Sequence, residues 1–157
     1  MNDRGSDQLP AGTQFGELRQ ITDARGAVLH LWRKNSPGAM PCGECYFSEV
    51  LPGVVKGWKR HRAQTQNMAV PVGRMKIVLF DDRVSSPTRG HVTILELGRP
   101  DHYRLLRIPP GIWYAFRCLS DVPALLANCP DLPHDPAEGE QLPLDEPSIP
   151  YRWETNQ

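Results

Sequence analysis

Short runs of aliphatic, β-branched and aromatic residues recur along the chain, and turn-forming residues such as Gly, Pro, Asp and Ser separate them. This pattern predicts short strands at residues 15–22, 27–33, 45–50, 54–62, 68–72, 75–80, 91–97, 102–108, 112–118 and 124–129. No segment shows a convincing apolar period of about 3.6 residues, as a helix would. Many short strands with Gly and Pro turns indicate an all-β sandwich or barrel, and here a jelly roll.

The two ends of the chain depart from this pattern. Residues 1–14 are polar and contain Gly and Pro, so we expect a flexible N-terminal arm. Residues 130–157 carry six prolines and seven acidic residues against one arginine, and they end near the aromatic residues Tyr151 and Trp153. We expect this Pro-rich acidic segment to pack on the barrel through those aromatic rings. The prediction is therefore one domain over residues 15–153, followed by a tail at 154–157.

The charge balance and the lack of long apolar runs exclude some classes of function. The chain has 157 residues, with 18 Lys and Arg against 18 Asp and Glu. A general nucleic-acid or membrane-surface role would need a basic excess, and no apolar run approaches the ~20 residues that span a bilayer. The N-terminal residues also lack the apolar region of a signal peptide. We expect a cytoplasmic protein with no nucleic-acid or membrane partner.

Four cysteines occur, at Cys42, Cys45, Cys118 and Cys129. Cys42 and Cys45 have CxxC spacing, but they lie in a Pro- and Gly-rich loop before a strand, whereas the redox motif begins a helix. A structural zinc site would need a second close cysteine pair, which the sequence lacks. The sequence therefore favours free thiols over disulfides, without a functional role.

The stretch from Gly53 to Gly73 resembles the first motif of the cupin superfamily, in which His, His and Glu occupy positions 59, 61 and 66. This chain has Lys59, His61 and Gln66 there. A protonated lysine offers no lone pair and adds positive charge beside the single imidazole, which disfavours a divalent cation.

The second cupin motif, Pro-x-Gly-x-x-His, is present at residues 109–114 with Tyr114 in place of the histidine. Three of the four expected metal ligands are therefore absent. We expect a cupin barrel with no metal and no other cofactor, whose cavity is lined by proton-transfer and hydrogen-bonding groups.

Six segments together resemble the dTDP-4-dehydrorhamnose 3,5-epimerase family of cupins. They are residues 23–26 (DARG), 51–58 (LPGVVKGW), 81–83 (DDR), 86–90 (SPTRG), 108–113 (IPPGIW) and 149–153 (IPYRW). Their order and spacing match over about residues 15–153. The resemblance implies a jelly-roll homodimer that exchanges N-terminal strands and acts without a metal on nucleotide-linked 4-keto-6-deoxy sugars.

Such a reaction sets definite chemical requirements. The 4-keto group acidifies the protons at C3 and C5, so a base removes one proton and an acid returns it on the other face. The enolate oxygen needs a cation or hydrogen-bond donor, and the diphosphate needs basic anchors.

The family's catalytic histidine corresponds to Lys59. Strand alternation puts Lys59 and His61 on one face, so His61 is the predicted base and Lys59 the cation that polarises the ketone. His61 also matches the second histidine of the Arg-Gly-x-His-x-His strand in the related 3,4-ketoisomerases. The alternative is a barrel histidine that only hydrogen-bonds substrate. Tyr114 is the predicted proton donor, and Asp145, with Glu146 beside it, matches the family's orienting carboxylate, which here could pair with Lys59.

Four further residues are predicted to bind substrate. Arg25 and Lys56 match basic positions that contact the diphosphate, and in the family the arginine reaches the partner subunit. Gln66 can donate to and accept from sugar hydroxyls. Trp113 lies within the second motif, directly before Tyr114. The two residues face opposite sides of a regular strand, so at most one of them lines the cavity.

The resulting prediction is a metal-free epimerase or isomerase of a nucleotide-diphosphate sugar, such as one for rhamnose or polysaccharide biosynthesis. The alternatives are a catalytically silent sugar-nucleotide binding cupin and a 3,4-ketoisomerase. A metal-dependent cupin such as a dioxygenase ranks last, because the sequence lacks three ligands.

Overall fold

The computed structural model describes residues 8–154, which fold into two five-stranded sheets and a separate two-stranded hairpin, with no helix among them. The strands are β1 (Gln14–Glu17), β2 (Gln20–Asp23), β3 (Gly26–Leu29), β4 (Tyr46–Val50), β5 (Val55–His61), β6 (Gln66–Val72), β7 (Arg74–Asp81), β8 (Val92–Gly98), β9 (Arg104–Ile108), β10 (Ile112–Cys118), β11 (Ala124–Asn128) and β12 (Gly139–Gln141). The all-β prediction is confirmed. The described chain also has no helix that is long and apolar enough to cross a membrane.

All strand pairs are antiparallel. The first sheet has the order β1-β9-β6-β11-β4 and the second the order β12-β5-β10-β7-β8, while β2 and β3 pair only with each other. The predicted strand at 15–22 divides into β1 and β2, because the amide of Leu18 bonds to the carbonyl of Tyr103 and the chain then leaves β9. β12 lies in the Pro-rich acidic segment at residues 130–157, where the sequence pattern predicts no strand because three residues are too few to show alternation.

The main core lies between the two sheets. Inward side chains alternate along each strand, as Ile77 and Leu79 do on β7 and Tyr114 and Phe116 on β10. They meet Met68 and other buried residues of the opposite sheet. The two sheets thus form a sandwich whose interior is apolar over most of its length.

The segment after β11 covers the outer face of the second sheet. Trp58 and Trp113 point outward there and pack with Ile149, Tyr151 and Trp153 of this segment. The rings of Tyr151 and Trp153 meet edge to face, with centroids 5.0 Å apart. Both faces of the second sheet are therefore covered, and this explains the nearly continuous apolar runs of β7 and β10.

The predicted flexible arm at 1–14 lies partly outside the described residues, as does most of the predicted tail at 154–157. From residue 8 onward the arm is anchored. The hydroxyl of Thr93 donates to the carbonyl of Gln8 at 2.7 Å, and the amide of Ala11 donates to Thr88 Oγ1 at 2.9 Å.

A β-bulge in β5 sets the geometry of the site. Lys59 pairs with Tyr114 and Lys56 with Phe116, so β5 has one residue more than β10 between these two pairs. Gly57 lies in the bulge with φ +140°, and a Cβ there would come within 2.3 Å of the Cβ of Ala115. Lys56 and Lys59 are three residues apart, and the bulge turns both toward the space between the sheets.

Candidate active site

A cavity of about 350 Å³ opens between the two sheets near the bulge of β5. Its lining combines an apolar base with polar side chains from both sheets and from β12. The lining side chains include Tyr46, Ser48, Met68 and Leu126 from the first sheet and Lys56, Lys59, Tyr114, Phe116 and Gln141 from the second. Among residues 8–154, no three His, Cys, Asp or Glu residues group so that they could hold a metal ion.

Three residues form a hydrogen-bonded relay that ends at this cavity. Nδ1 of His61 bonds to the carboxylate of Glu138, and Nε2 lies 3.0 Å from the hydroxyl of Tyr114. The imidazole and phenol rings are nearly parallel, at 15°, and His61 is only 5% exposed. Tyr114 lines the cavity, whereas His61 sits behind it and reaches the cavity through the tyrosine hydroxyl.

The carboxylate of Glu138 is fixed by more than the imidazole. Its second oxygen accepts hydrogen bonds from the backbone amides of Arg62 and Ala63, each at 3.0 Å, and of Gln64 at 3.3 Å. The pairing of Gly139 with His61 brings Glu138 to this position, since it immediately precedes β12.

The protonation states of the relay follow from its surroundings. Burial raises the pKa of Glu138, but the hydrogen bonds from His61 and from the amides of Ala63 and Gln64 outweigh it and bring this pKa to about 2. Burial lowers the pKa of His61, and the bond to Glu138 offsets this only in part. Burial raises the pKa of Tyr114 well above its usual value. At neutral pH the relay is therefore carboxylate, neutral imidazole and phenol, with Nε2 able to accept a proton.

Two lysines give the cavity positive charge. Nζ of Lys56 donates to Ser48 Oγ at 3.1 Å and to the carbonyl of Glu49 at 2.5 Å. Nζ of Lys59 has no hydrogen bond or ion pair with any other described residue, and its charge lowers the pKa of His61. Lys59 is therefore available to an anionic group inside the cavity.

The opposite wall carries a second tyrosine. The hydroxyl of Tyr46 accepts a hydrogen bond from Nδ2 of Asn128 at 2.9 Å, and burial raises its pKa. Asn128 also donates to Oε1 of Gln66 at 2.6 Å, and Gln66 donates to Gln64 at 2.8 Å. Gln66, predicted to bind sugar hydroxyls, is thus buried behind the wall and positions Asn128 instead.

Trp113 and Asp145 lie away from the cavity. Trp113 belongs to the outer aromatic cluster, where the guanidinium of Arg60 stacks 4.3 Å from its ring centroid. Asp145 is exposed in the covering segment, while Glu146 bonds to Ser148. The carboxylate beside His61 is that of Glu138, and the predicted role of Asp145 stays a prediction.

Arg25 also lies apart from the cavity of its own chain. It occupies the tip of the β2–β3 hairpin with its side chain 90% exposed, and it pairs with Asp23 at 2.6 Å.

Sequence reasoning missed Glu138 and Tyr46. Glu138 is one of seven acidic residues after Pro130, and the three-residue strand that positions it leaves no pattern. Tyr46 gave a usable signal, because it alternates with Ser48 and the buried Val50 along β4. No family motif pointed to it.

Comparison with known proteins identifies relatives that match most of the chain. A sequence model of the family described as dTDP-4-dehydrorhamnose 3,5-epimerase matches residues 11–157. The crystal structure of a dTDP sugar isomerase from Desulfovibrio desulfuricans is 53% identical, with a TM-score of 0.90, and the match covers 93% of this chain and 94% of that one.

Two curated relatives are more distant. A probable low-salt glycan biosynthesis epimerase of Haloferax volcanii is 32% identical over 141 residues, which are 87% of this chain and 90% of the relative. A spore coat polysaccharide biosynthesis protein of Bacillus subtilis is 27% identical over 146 residues, which are 92% and 96% of the two chains. The predicted cupin jelly roll and the predicted class of sugar-nucleotide epimerases are confirmed. The chain belongs to the dTDP-4-dehydrorhamnose 3,5-epimerase family.

Proposed function

We propose that the protein epimerises a dTDP-linked 4-keto-6-deoxy sugar through an enolate, as a step in the biosynthesis of a surface polysaccharide or glycan. The observation that carries this proposal is the relay of Glu138, His61 and Tyr114, which ends in a cavity that also holds the unpaired ammonium of Lys59. Family membership and the names of the relatives support the substrate class.

In this proposal Tyr114 is the group that touches the substrate carbon. As its oxygen takes a proton from the carbon beside the ketone, its own proton passes to Nε2 of His61. The resulting imidazolium is stabilised by the carboxylate of Glu138. The arrangement follows the logic of a Ser-His-Asp triad, in which a buried carboxylate holds the imidazole in one tautomer and the imidazole activates a hydroxyl.

Lys59 stabilises the negative charge that develops on the ketone oxygen. A cation that is already in place in a site shielded from water stabilises the developing charge more than a cation in solution, because it needs no reorganisation during the reaction. Lys56 lies on the same wall, and its ammonium suits the diphosphate of the substrate. This keeps the predicted roles of both lysines.

Inversion requires an acid on the opposite face of the sugar. Tyr46 belongs to the first sheet and Tyr114 to the second, so a sugar ring between the sheets meets a phenol on each side. Tyr46 then returns a proton to the enolate carbon while Asn128 holds its hydroxyl in place. Tyr114 has gained one proton and lost one, so it is again a phenol. After product release, Tyr46 regains the proton that it gave to the enolate carbon, and His61 releases its extra proton, both by exchange with solvent.

We further propose a homodimer in which Arg25 of one subunit contacts the nucleotide bound by the other. The β2–β3 hairpin pairs with no other described strand, and it exposes Val28, at 59%, and Ile21, at 44%. An exposed apolar hairpin with an arginine at its tip suits a contact with a second subunit.

The test is proton NMR of the protein with dTDP-4-keto-6-deoxyglucose in D2O. We expect deuterium to enter C3 or C5 faster than in the absence of protein, and the labelled carbon identifies the inverted centre. A new keto position instead would assign the protein to the ketoisomerases. Nucleotide binding without any exchange would contradict enolisation and leave a binding protein.

A further inference from the structure

Two cysteines from different parts of the chain face each other at the end of the first sheet. β4 and β11 pair from Ala124 with Val50 to Asn128 with Tyr46, and continuing this register by one position sets Cys129 opposite Cys45. The thiol of Cys129 donates a weak hydrogen bond to Sγ of Cys45, with the two sulfurs 3.6 Å apart. The close partner of Cys45 is therefore Cys129, which lies far away in sequence.

The loop that carries Cys45 is held against the strand that carries Cys129. The amide of Gly43 donates to the carbonyl of Pro130 at 2.8 Å, and a Cβ at Gly43 would collide with the backbone of Leu132 at 2.3 Å. The thiol of Cys42 donates to the carbonyl of Glu44 within its own loop at 3.1 Å, and it also lies near Cys129, whose pKa it helps to raise. These contacts hold the Cys45 and Cys129 thiols together through the fold.

The two thiols differ in access to solvent. Cys45 is exposed, whereas Cys129 is only 5% exposed. Burial and the neighbouring thiols raise the pKa of Cys129. An oxidant in solution therefore meets Cys45 first, and Cys129 is placed to react second.

We propose that Cys45 and Cys129 form a thiol–disulfide exchange site that accepts small disulfides and closes into an intramolecular disulfide. The thiolate of Cys45 attacks one sulfur of a disulfide RSSR, forms a mixed disulfide and expels one thiolate RS⁻. Cys129 then loses its proton and attacks Sγ of Cys45, which expels the second RS⁻. The protein loses two hydrogens and two electrons, and RSSR becomes two RSH. The sulfurs must approach by about 1.5 Å to reach the usual bond length of about 2.05 Å.

The experiment treats the reduced full-length protein with oxidised glutathione, alkylates the remaining thiols and maps the peptides by mass spectrometry. We expect a Cys45–Cys129 disulfide, no retained glutathione, and alkylation at Cys42 and Cys118 only. C42S is the matched control, because it removes the other thiol of the same loop, and it should form the same disulfide at the wild-type rate.

C129S separates the two steps. It should accumulate the glutathione adduct on Cys45, because the second thiolate that would displace glutathione is missing and the Cys45–Cys129 disulfide cannot form. If C129S does not fold, C45S tests the proposal by removing the exposed thiol that reacts first. This variant should form neither the glutathione adduct at position 45 nor the disulfide with Cys129. A Cys42–Cys45 disulfide, glutathione retained on Cys45 in the wild type, or an unreactive Cys45 would overturn the proposal.

Discussion

Tyr114 combines two properties that a catalytic hydroxyl needs. It is buried against the neutral imidazole of His61, which can take its proton, and it lines the cavity where a substrate carbon would lie. Its raised pKa keeps the phenol protonated in the resting state, so the oxygen becomes basic only as His61 accepts the proton. In the proposed mechanism, Tyr114 is therefore the base that contacts the substrate carbon and His61 is the group that takes up the proton.

Tyr114→Phe removes this hydroxyl and keeps the stacked ring. We expect deuterium exchange into the keto sugar to fall by about 10²- to 10⁴-fold, the usual range for a general acid–base group. Binding of dTDP, measured by calorimetry, should change little. Tyr103→Phe is the matched control, because Tyr103 is also buried and its hydroxyl bonds to a backbone carbonyl outside the cavity. Equal losses in both variants would remove Tyr114 from the mechanism.

The relay also predicts the pH dependence of activity. Protonated His61 cannot accept a proton, so kcat/KM should fall as pH drops through its pKa, which burial places below the usual value of 6.5. The charge of Lys59 lowers this pKa and that of Glu138 raises it. Lys59→Gln should therefore shift the acidic limb of the profile to higher pH, and Glu138→Gln should shift it to lower pH.

The pH profile of kcat/KM for the wild type and both variants checks these opposite shifts. Both variants should also be slower at the optimum, since one lacks the cation at the enolate and the other the carboxylate that stabilises the imidazolium. Shifts in the same direction, or none, would show that His61 does not set the limb.

At the scale of single elements, the bulge in β5 has the largest effect on the site. Without the extra residue, Lys56 and Lys59 would point to opposite faces of the sheet, because strand side chains alternate. With it, both line one cavity. Glycine fits the bulge because of its positive φ and its close approach to Ala115.

Gly57→Ala tests this element. Positive φ costs about 1–3 kcal/mol, and the steric overlap with Ala115 adds about 1–3 kcal/mol. We therefore expect the free energy of unfolding to fall by about 2–6 kcal/mol. Gly26→Ala is the matched control: φ is +143° there, but nothing lies within 4 Å of the added Cβ. It should cost only the backbone strain of about 1–3 kcal/mol, without the added steric term. Urea denaturation measures the loss in free energy of unfolding for both variants. Equal losses would mean that the protein accommodates the added Cβ next to Ala115 without an energetic penalty.

The sequence predicts the positions of the strands better than the bulges and the register between paired strands. Apolar alternation located β4 to β11 within a few residues, because both faces of the second sheet and one face of the first are buried. It could not show the bulge at Gly57 or the pairing of Gly139 with His61, since both depend on register between distant strands. Lys59 and Tyr114 were found because family motifs mark their positions, whereas Glu138 follows from that register alone.

At the scale of the whole molecule, the hairpin of β2 and β3 predicts that each subunit contributes Arg25 to the active site of its partner. If Arg25 acts in the partner's cavity, Arg25→Ala and Tyr114→Phe damage complementary parts of one site. A mixed dimer then has one site with an intact Tyr114 and an intact Arg25 from the partner. Subunits mixed in equal amounts and reassembled should recover about a quarter of wild-type activity.

The measurement is the exchange assay on the mixture, with each variant alone as the control at substrate concentrations below KM. Sedimentation of the wild type should show a dimer. A monomer, or a mixture no more active than its separate components, would contradict an Arg25 contact across subunits.

The position of the covering segment after β11 determines when the relay is completed during translation. It supplies Glu138 to His61 and the aromatic residues that cover Trp58, yet the ribosome makes it after every strand of the two sheets except β12. A nascent chain can build most of its sandwich while the imidazole still lacks its carboxylate. The relay is therefore completed only after β1 to β11 have been synthesised, and a chain truncated before this segment has an incomplete relay.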